Sequence, residues 1–227
     1  MSKYRHEYKY ITDAREDALL SGIAAGIMER DTHAGSDGRY VIRSLYFDTI
    51  DDRCLFENVS GYDPRWKFRI RYYNNDTSYI VLERKSKNRG MTEKESCQLT
   101  QAEAEAIISG GAGTNISAND KTRHRLLIEL TSLALIPKVI VTYEREPFIY
   151  PAGNVRVTFD RSISSSGSID KFLTGDYPMR PVMAAGRQIM EVKWDEVMPG
   201  YIKDSLNVTG LTQTAYSKYY MSRRYHM

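Results

Sequence analysis

The chain has 227 residues, of which 41% are hydrophobic and 27% are charged, a composition typical of a folded globular protein and not of a disordered one. Its two cysteines, Cys54 and Cys97, are too few for a disulfide framework or a cysteine zinc site. The formal net charge of +3 is too small to indicate nucleic acid or a membrane surface as a partner. No long apolar run or signal-peptide core is present, so we expect one cytoplasmic domain over residues 1–227.

Alternation of polar and apolar residues predicts eight strands, because successive side chains of a strand point to opposite faces. In chain order they are Tyr4–Ile11, Tyr40–Asp48, Arg65–Tyr73, Ser78–Lys87, Met91–Leu99, Lys138–Arg145, Val155–Asp160 and Gln188–Trp194. The segment Asn74–Thr77 suits a turn between the third and fourth strands, which are therefore predicted to form a hairpin.

Helical spacing of apolar residues and capping residues predict helices between these strands. The candidates are Asp13–Met28 with Thr12 as its N-cap, Asp51–Asn58, a helix that opens at Thr100 and runs to about Ser109, Asn119–Leu135 and Leu211–Arg224. Thr100 and Glu103 have the spacing of a capping box. The glycine-rich run 110–113 and the serine-rich run 164–168 are predicted to be loops.

Basic residues recur on one face of at least seven of the predicted strands. They are Lys9, Arg43, Arg69, Arg71, Lys85, Lys94, Arg145, Arg156 and Lys193. Glu7, Glu83 and Glu191 are in step with them. On one hairpin such a face could simply be solvated, but its recurrence favours a large antiparallel sheet that curls and closes. We therefore predict an α+β fold: an eight-stranded antiparallel closed β-barrel with flanking helices and a charged interior.

A cavity lined by cations is suited to phosphate, because arginine donates forked hydrogen bonds and lysine is a compact charge. One cation about 4 Å from a phosphate oxygen gains roughly 4 kcal/mol at an effective dielectric of about 20, before desolvation. Each glutamate could help to bind a divalent metal that bridges phosphate oxygens, or could be the counter-ion of a neighbouring lysine. The aromatic residues Trp66, Phe68 and Tyr72 alternate out of phase with the cations, which argues against a nucleic-acid-binding barrel.

The series of motifs resembles a known family. The motifs are Arg5-x-Glu7-x-Lys9-Tyr10, Arg43–Asp48, Phe68–Tyr72, Leu82–Lys85, Thr92–Lys94, Tyr143-x-Arg145, Val155–Val157 and Glu191-x-Lys193. Their order is similar to that in the polyphosphate polymerase domain of the VTC (vacuolar transporter chaperone) family, which belongs to the triphosphate tunnel metalloenzyme, or CYTH-like, superfamily. The similarity extends over nearly the whole chain.

This resemblance implies that the γ-phosphoryl group of ATP is transferred to a polyphosphate chain inside a basic tunnel, with Mn²⁺ or Mg²⁺ as cofactor. Carried over by motif, the catalytic residues are Lys9, Arg69, Arg71, Lys85 and Glu191. The substrate-binding residues are Arg43, Lys94, Arg145, Arg156, Lys193 and Lys218. The metal ligand is Glu191, with Glu7 and Glu83 as further candidates. The partners compatible with this resemblance are ATP or another triphosphate, inorganic polyphosphate, and a membrane protein encoded separately.

One departure from the superfamily concerns the first strand. Triphosphatases and cyclases of the superfamily carry Glu-x-Glu-x-Lys there, whereas in this chain Arg5 stands in the place of the first glutamate. With one carboxylate fewer, a metal would polarise a hydrolytic water less well, and the extra cation favours a phosphate chain. Polymerase chemistry is therefore preferred, with two alternatives: a triphosphatase that hydrolyses inorganic or nucleoside triphosphate, and a non-catalytic polyphosphate-binding module.

Overall fold

Ten strands and six helices make up the part of the chain that the computed structural model describes, residues 4–111, 120–207 and 210–226. The strands are β1 (His6–Thr12), β2 (Glu29–Arg30), β3 (Tyr40–Asp48), β4 (Arg65–Tyr73), β5 (Asp76–Asn88), β6 (Met91–Leu99), β7 (Ile136–Tyr150), β8 (Val155–Ser166), β9 (Arg180–Pro181) and β10 (Gln188–Trp194). The helices are α1 (Ala14–Ile27), α2 (Arg53–Val59), α3 (Gln101–Ile108), α4 (Lys121–Ser132), α5 (Gly200–Leu206) and α6 (Lys218–Arg223).

The eight longer strands form one curled antiparallel sheet in the order β1-β10-β8-β7-β3-β4-β5-β6. The short strand β2 pairs with β7, and β9 pairs with β8. Each of these eight strands overlaps one predicted from the sequence, so the α+β class and the antiparallel arrangement are confirmed.

The sequence predicts a closed barrel, but the structure does not show full closure. Among the described residues, the end strands β1 and β6 meet through the bridge between Arg5 and Thr92, whose main-chain amides donate to each other's carbonyls at 2.9 and 3.1 Å. Farther along β1, the chain that leads into α6 lies against the strand edge, and the amide of Thr214 donates to the carbonyl of Lys9 at 2.8 Å.

Helices cover the outer face of the sheet in two groups. Helices α3 and α4 bury apolar residues of β4 and β5, including Phe68, Ile70 and Leu82, which are fully buried. Helices α1 and α5 cover β8 and β10, where Val157 and Phe159 are fully buried. The rows of apolar side chains that alternate with the cations thus pack outwards, which leaves the cations for the concave face.

The concave face is partly filled by α6. Its Tyr219 is buried against apolar residues of β3 and β7 and donates a hydrogen bond of 2.5 Å to the carboxylate of Asp48. The same carboxylate accepts from the main-chain amides of Cys54 and Leu55 at the start of α2, at 2.8 and 3.0 Å. Asp48 therefore holds α2 and α6 together beside the inner face.

Several predicted elements differ from the structure. The run 164–168 is not all loop, because β8 continues to Ser166 through its pairing with β7. Helix α1 is capped by Asp13 and not by Thr12, and α6 is shorter than the predicted Leu211–Arg224. Part of the run 110–113 and the predicted start of α4 lie outside the described residues. No helix in the described ranges has the length and apolar character needed to cross a membrane.

Candidate active site

Strand register places most of the predicted site residues on one face, since directly paired residues of an antiparallel sheet project to the same side. On β1, β10 and β8, Lys9 pairs with Glu191, and Lys193 pairs with both Glu7 and Arg156. These side chains point to the concave side, opposite the apolar residues covered by α1 and α5.

The other half of the charged face comes from β4, β5 and β6. Arg69 pairs with Glu83, and Lys67 pairs with Lys85, which in turn pairs with Lys94. The predicted hairpin between β4 and β5 therefore has the register that its alternation requires, with the cations on the side away from α3 and α4.

Arg43 is not brought to this face. It pairs with Tyr72, which packs with the outer apolar residues, and its guanidinium donates to the hydroxyl of Tyr177 at 2.9 Å and lies over that ring. The neighbouring Ser44 occupies the inner position instead, where it accepts a hydrogen bond from Arg71. The structure thus separates Arg43 from the other predicted substrate-binding residues.

Glu191 and Asp160 are surrounded by cations. Lys218 on α6 lies 3.0 Å from Glu191 and 2.5 Å from Asp160, and Arg145 donates two hydrogen bonds to Asp160 at 2.6 and 2.7 Å. Burial alone would raise the pKa of Glu191, but Lys193, Lys218 and the other neighbouring cations outweigh burial and hold that pKa well below its usual value. Glu191 is therefore a carboxylate ion.

A second cluster centres on Glu83, which is 2% exposed. Arg69 contacts it through Nε and Nη2 at 2.6 Å, and Lys94 lies 3.1 Å away. Burial opposes ionisation of Glu83, but Arg69, Arg71 and Lys94 together hold its pKa well below the usual value. Arg71 also donates through Nε to the hydroxyl of Ser44 and through Nη2 to the hydroxyl of Tyr143.

Glu7 joins the two halves of the charged face. It accepts a hydrogen bond of 2.6 Å from Lys85 across the seam between β1 and β6, while Lys9 and Lys193 lie 3.5 and 3.9 Å away. Burial opposes ionisation of Glu7, but these three lysines hold its pKa well below the usual value. For Lys85, burial outweighs the attraction of Glu7 and lowers the pKa to about 8.

A divalent metal, which the resemblance implies, can be tested against these carboxylates. Among the described residues, no group of three histidine, cysteine, aspartate or glutamate side chains could hold a metal. The oxygens of Glu83 and Glu191 are occupied by cations at close range. Glu7 differs, because its Oε1 is buried and accepts no hydrogen bond. The residues fit Mg²⁺ or Mn²⁺ held mainly by substrate phosphates, with Glu7 as the protein ligand.

Two charged residues of this face were not among the predicted site residues. Asp160 is fully buried and is the main partner of Arg145; its alternation with Arg156 and Thr158 in the sequence was the available signal. Lys67 lies two residues before Arg69 on β4 and therefore on the same face, so the period-two alternation was the available signal for it. Arg156, which was predicted, contacts Asp31 at 2.8 Å and the hydroxyl of Tyr40 at 2.9 Å.

Within the part of the chain that the structure describes, ten cations and five carboxylates form the charged cluster on and beside the concave face; Asp48, which accepts hydrogen bonds from main-chain amides and Tyr219, is not counted in it. The cations are Lys9, Lys67, Arg69, Arg71, Lys85, Lys94, Arg145, Arg156, Lys193 and Lys218. The carboxylates are Glu7, Asp31, Glu83, Asp160 and Glu191. This surplus of positive charge is suited to a ligand that carries several negative charges.

Comparison with known proteins places the chain in a family. The family model described as the VTC domain matches residues 4–226. Similar solved structures include a candidate adenylate cyclase from Bacillus halodurans, 14% identical over 95% of both chains with a TM-score of 0.55. Another is a candidate adenylyl cyclase from Hippeastrum with a dominant triphosphatase activity, 13% identical over 99% of this chain and 96% of that one, with a TM-score of 0.58. At these identities the likeness shows the fold alone.

No protein of curated function matches the chain significantly. The family match nevertheless covers nearly all of the sequence, and the basic residues of the motifs named above, apart from Arg43, lie on or beside one concave face. The chain belongs to the VTC domain family.

Proposed function

We propose that this chain is a polyphosphate polymerase, which transfers the γ-phosphoryl group of ATP to a growing polyphosphate chain bound along the concave face in a tunnel. The observation that carries this proposal is the surplus of ten cations over five carboxylates on and beside that face. A linear chain of phosphates supplies the missing negative charge along its whole length, whereas a single phosphate would neutralise only part of this surplus.

Phosphoryl transfer depends mainly on positioning and charge neutralisation, so no protein nucleophile is required. Lys9, Arg69, Arg71 and Lys85 would hold the oxygens of the transferred group and of its donor. Substrate phosphates on either side would contact Arg145, Arg156, Lys94, Lys193 and Lys218. Arg43 is left out of this proposal because it lies on the outer face.

A divalent ion bound with the nucleotide would supply neutralisation of phosphate charge. Glu7 would orient that ion through Oε1, which accepts no hydrogen bond, and Lys9 and Lys193, 3.5 and 3.9 Å from that oxygen, would hold the carboxylate in place. Glu191 would fix the ammonium groups of Lys193 and Lys218 at the positions from which they bind phosphate.

A triphosphatase is the second candidate, favoured by the fold shared with the Hippeastrum protein and its triphosphatase activity. Against it stands Arg5, whose guanidinium pairs with Asp195 at 2.9 Å at the position where triphosphatases of the superfamily carry a carboxylate. A hydrolytic water would therefore have one carboxylate fewer to activate it, whereas the growing polyphosphate chain can act as acceptor without such activation.

The test is to incubate the chain with ATP and Mn²⁺ or Mg²⁺ and to analyse the products. We expect ADP and polyphosphate. Orthophosphate as the sole new phosphate product would establish the triphosphatase, and tight polyphosphate binding without turnover under either metal would establish a binding module. Arg71→Met should abolish synthesis, whereas the matched variant Arg43→Met, which removes an arginine from the same sheet but from its outer face, should retain it.

A further inference from the structure

Lys67 lies within a row of lysines that crosses three strands. It pairs with Lys85 of β5, and Lys85 pairs with Lys94 of β6. Paired residues of neighbouring strands project to the same face, so these three lysines extend side by side from the sheet on its concave face. Lys9 of β1 faces the same region, because both Lys9 and Lys85 are within 4 Å of Glu7.

The partners of Lys67 differ from those of the other cations. Its Nζ donates to Asn58 Oδ1 at 2.7 Å and to Ser217 Oγ at 2.8 Å, two uncharged oxygens. Each of the nine other cations of this face has a carboxylate oxygen within 4.0 Å. Within the described ranges Lys67 has none, and one of its three N–H groups has no hydrogen-bond acceptor among them.

The protein surroundings of Lys67 disfavour its charged form. Besides Asn58 and Ser217, it faces Lys9, Lys85 and Arg65, the thiol of Cys54 on α2 and the ring of Tyr219 on α6. Burial, and then the three like charges, hold the pKa of Lys67 well below its usual value. An ammonium ion without a counter-ion in such a place is costly, and a bound anion removes most of that cost.

We propose that Lys67 extends the phosphate-binding row of Lys9 and Lys85 by one further phosphoryl-binding subsite, in which Lys67 makes a contact for which no carboxylate of the described residues competes. The subsite rests on the proposed function only for the choice of phosphate as the anion. It lies against Ser217, whose hydroxyl also accepts from the amide of Tyr220 as the N-cap of α6. A phosphoryl group there stands beside the helix that carries Lys218.

The experiment measures binding of inorganic triphosphate by calorimetry, without nucleotide or metal, to the full chain and to the variant Lys67→Met. We expect the affinity of Lys67→Met to fall by about tenfold or more, the size of a lost hydrogen bond to a charged group. Lys67→Arg, which keeps the charge, should retain most of the affinity. Lys203→Met, which removes an exposed lysine from α5, is the matched control and should bind as the wild type does.

Thermal unfolding separates this subsite from a purely structural role. Lys67→Met should have a Tm equal to or above that of the wild type without anion, because an uncompensated charge is removed, and triphosphate should raise its Tm less than it raises that of the wild type. A lower Tm together with unchanged triphosphate affinity would overturn the proposal and make Lys67 a link between α2 and α6.

Failure of the subsite and failure of the proposed function give different results. Wild-type chain that binds triphosphate as tightly as Lys67→Met and Lys67→Arg do contradicts the subsite alone, whatever the products formed from ATP. Wild-type chain that makes no polyphosphate, but loses triphosphate affinity on Lys67→Met, contradicts polymerase activity alone. A wild-type chain that does not bind triphosphate contradicts both.

Discussion

Glu83 illustrates what a buried carboxylate does for the charged face. It is 2% exposed and contacts Arg69 at 2.6 Å and Lys94 at 3.1 Å. Arg69 and Arg71 are themselves enclosed by protein, so the negative charge of Glu83 compensates theirs just as their positive charges compensate that of Glu83. A buried ion pair of this kind matters for stability chiefly because the loss of one partner leaves the other as an uncompensated buried charge. Removal of an arginine from this face is therefore a change to stability as well as to binding.

Arg69→Met should lower the free energy of unfolding by about 2 kcal/mol, less than the roughly 3–5 kcal/mol of a fully broken buried pair, because Lys94 and Arg71 remain near Glu83. The double variant Arg69→Met, Glu83→Gln should recover much of this loss. Urea unfolding of the two single variants and the double variant at pH 7 measures the coupling. Additive effects of the two changes would show that the pair does not interact.

The pH dependence of triphosphate binding should reflect Lys85, whose pKa burial lowers to about 8 against the opposing attraction of Glu7. Below that pH the side chain is charged, so affinity should be highest there and should fall by up to about tenfold per pH unit as the pH rises above 8. Calorimetry with a chelator present, from pH 6.5 to 9.5, measures this. Lys85→Arg, which stays charged, should lose less affinity, and equal losses would exclude Lys85 as the cause.

At the scale of the elements, the bounds of β3, β4, β6 and β10 match the sequence prediction. Strands β4, β6 and β10 alternate with period two, whereas β3 was predicted from its β-branched and aromatic residues after a turn. Thr100 caps α3 with the predicted capping box. The serine-rich end of β8 was missed because it has few apolar residues, and its strand form depends on pairing with β7 and β9. Helix α5 was missed because Pro199, at its N-cap, makes no side-chain capping hydrogen bond.

Tyr219→Phe tests how α6 is held beside the charged face. The variant removes the 2.5 Å hydrogen bond to Asp48 but leaves that carboxylate its main-chain donors at Thr49, Cys54 and Leu55. We expect a loss of about 1.5–3 kcal/mol in unfolding free energy. Relative to the wild type, hydrogen exchange measured by mass spectrometry should become faster for α6 amides and change less for β4 amides. Unchanged exchange in α6 would show that its packing alone holds it.

At the scale of the whole molecule, period-two alternation predicted which residues lie on the charged face better than it predicted which charged residues contact one another. The misplaced residue, Arg43, lies on a strand whose polar residues fall on both faces, so period two could not distinguish it from Ser44. The contacts of Asp160 with Lys218 and of Glu7 with Lys85 join distant parts of the chain. They follow from the curl of the sheet, which no local pattern specifies.

A cross-link tests how β1 and β6 meet. Arg5 and Thr92 exchange two main-chain hydrogen bonds, so their Cα atoms should be about 5.5 Å apart, within reach of a disulfide. The variant Arg5→Cys, Thr92→Cys should oxidise readily and gain about 2–4 kcal/mol of stability relative to its reduced form. The native Cys54 and Cys97 are buried and free, and Arg5→Ser, Thr92→Ser is the control. A pair that stays reduced under mild oxidant would show that the end strands do not meet.

The pairing of β1 with β10 determines when the charged face can assemble during synthesis. His6 pairs with Trp194, so the first strand of the described residues pairs with the last one. The meander of β4, β5 and β6 joins neighbours in sequence, and local pairings of this kind form quickly, whereas distant ones are slow. We therefore expect the half of the lining that holds Arg69, Glu83 and Lys85 to form before the half that holds Lys9 and Glu191, which needs two distant segments of the chain.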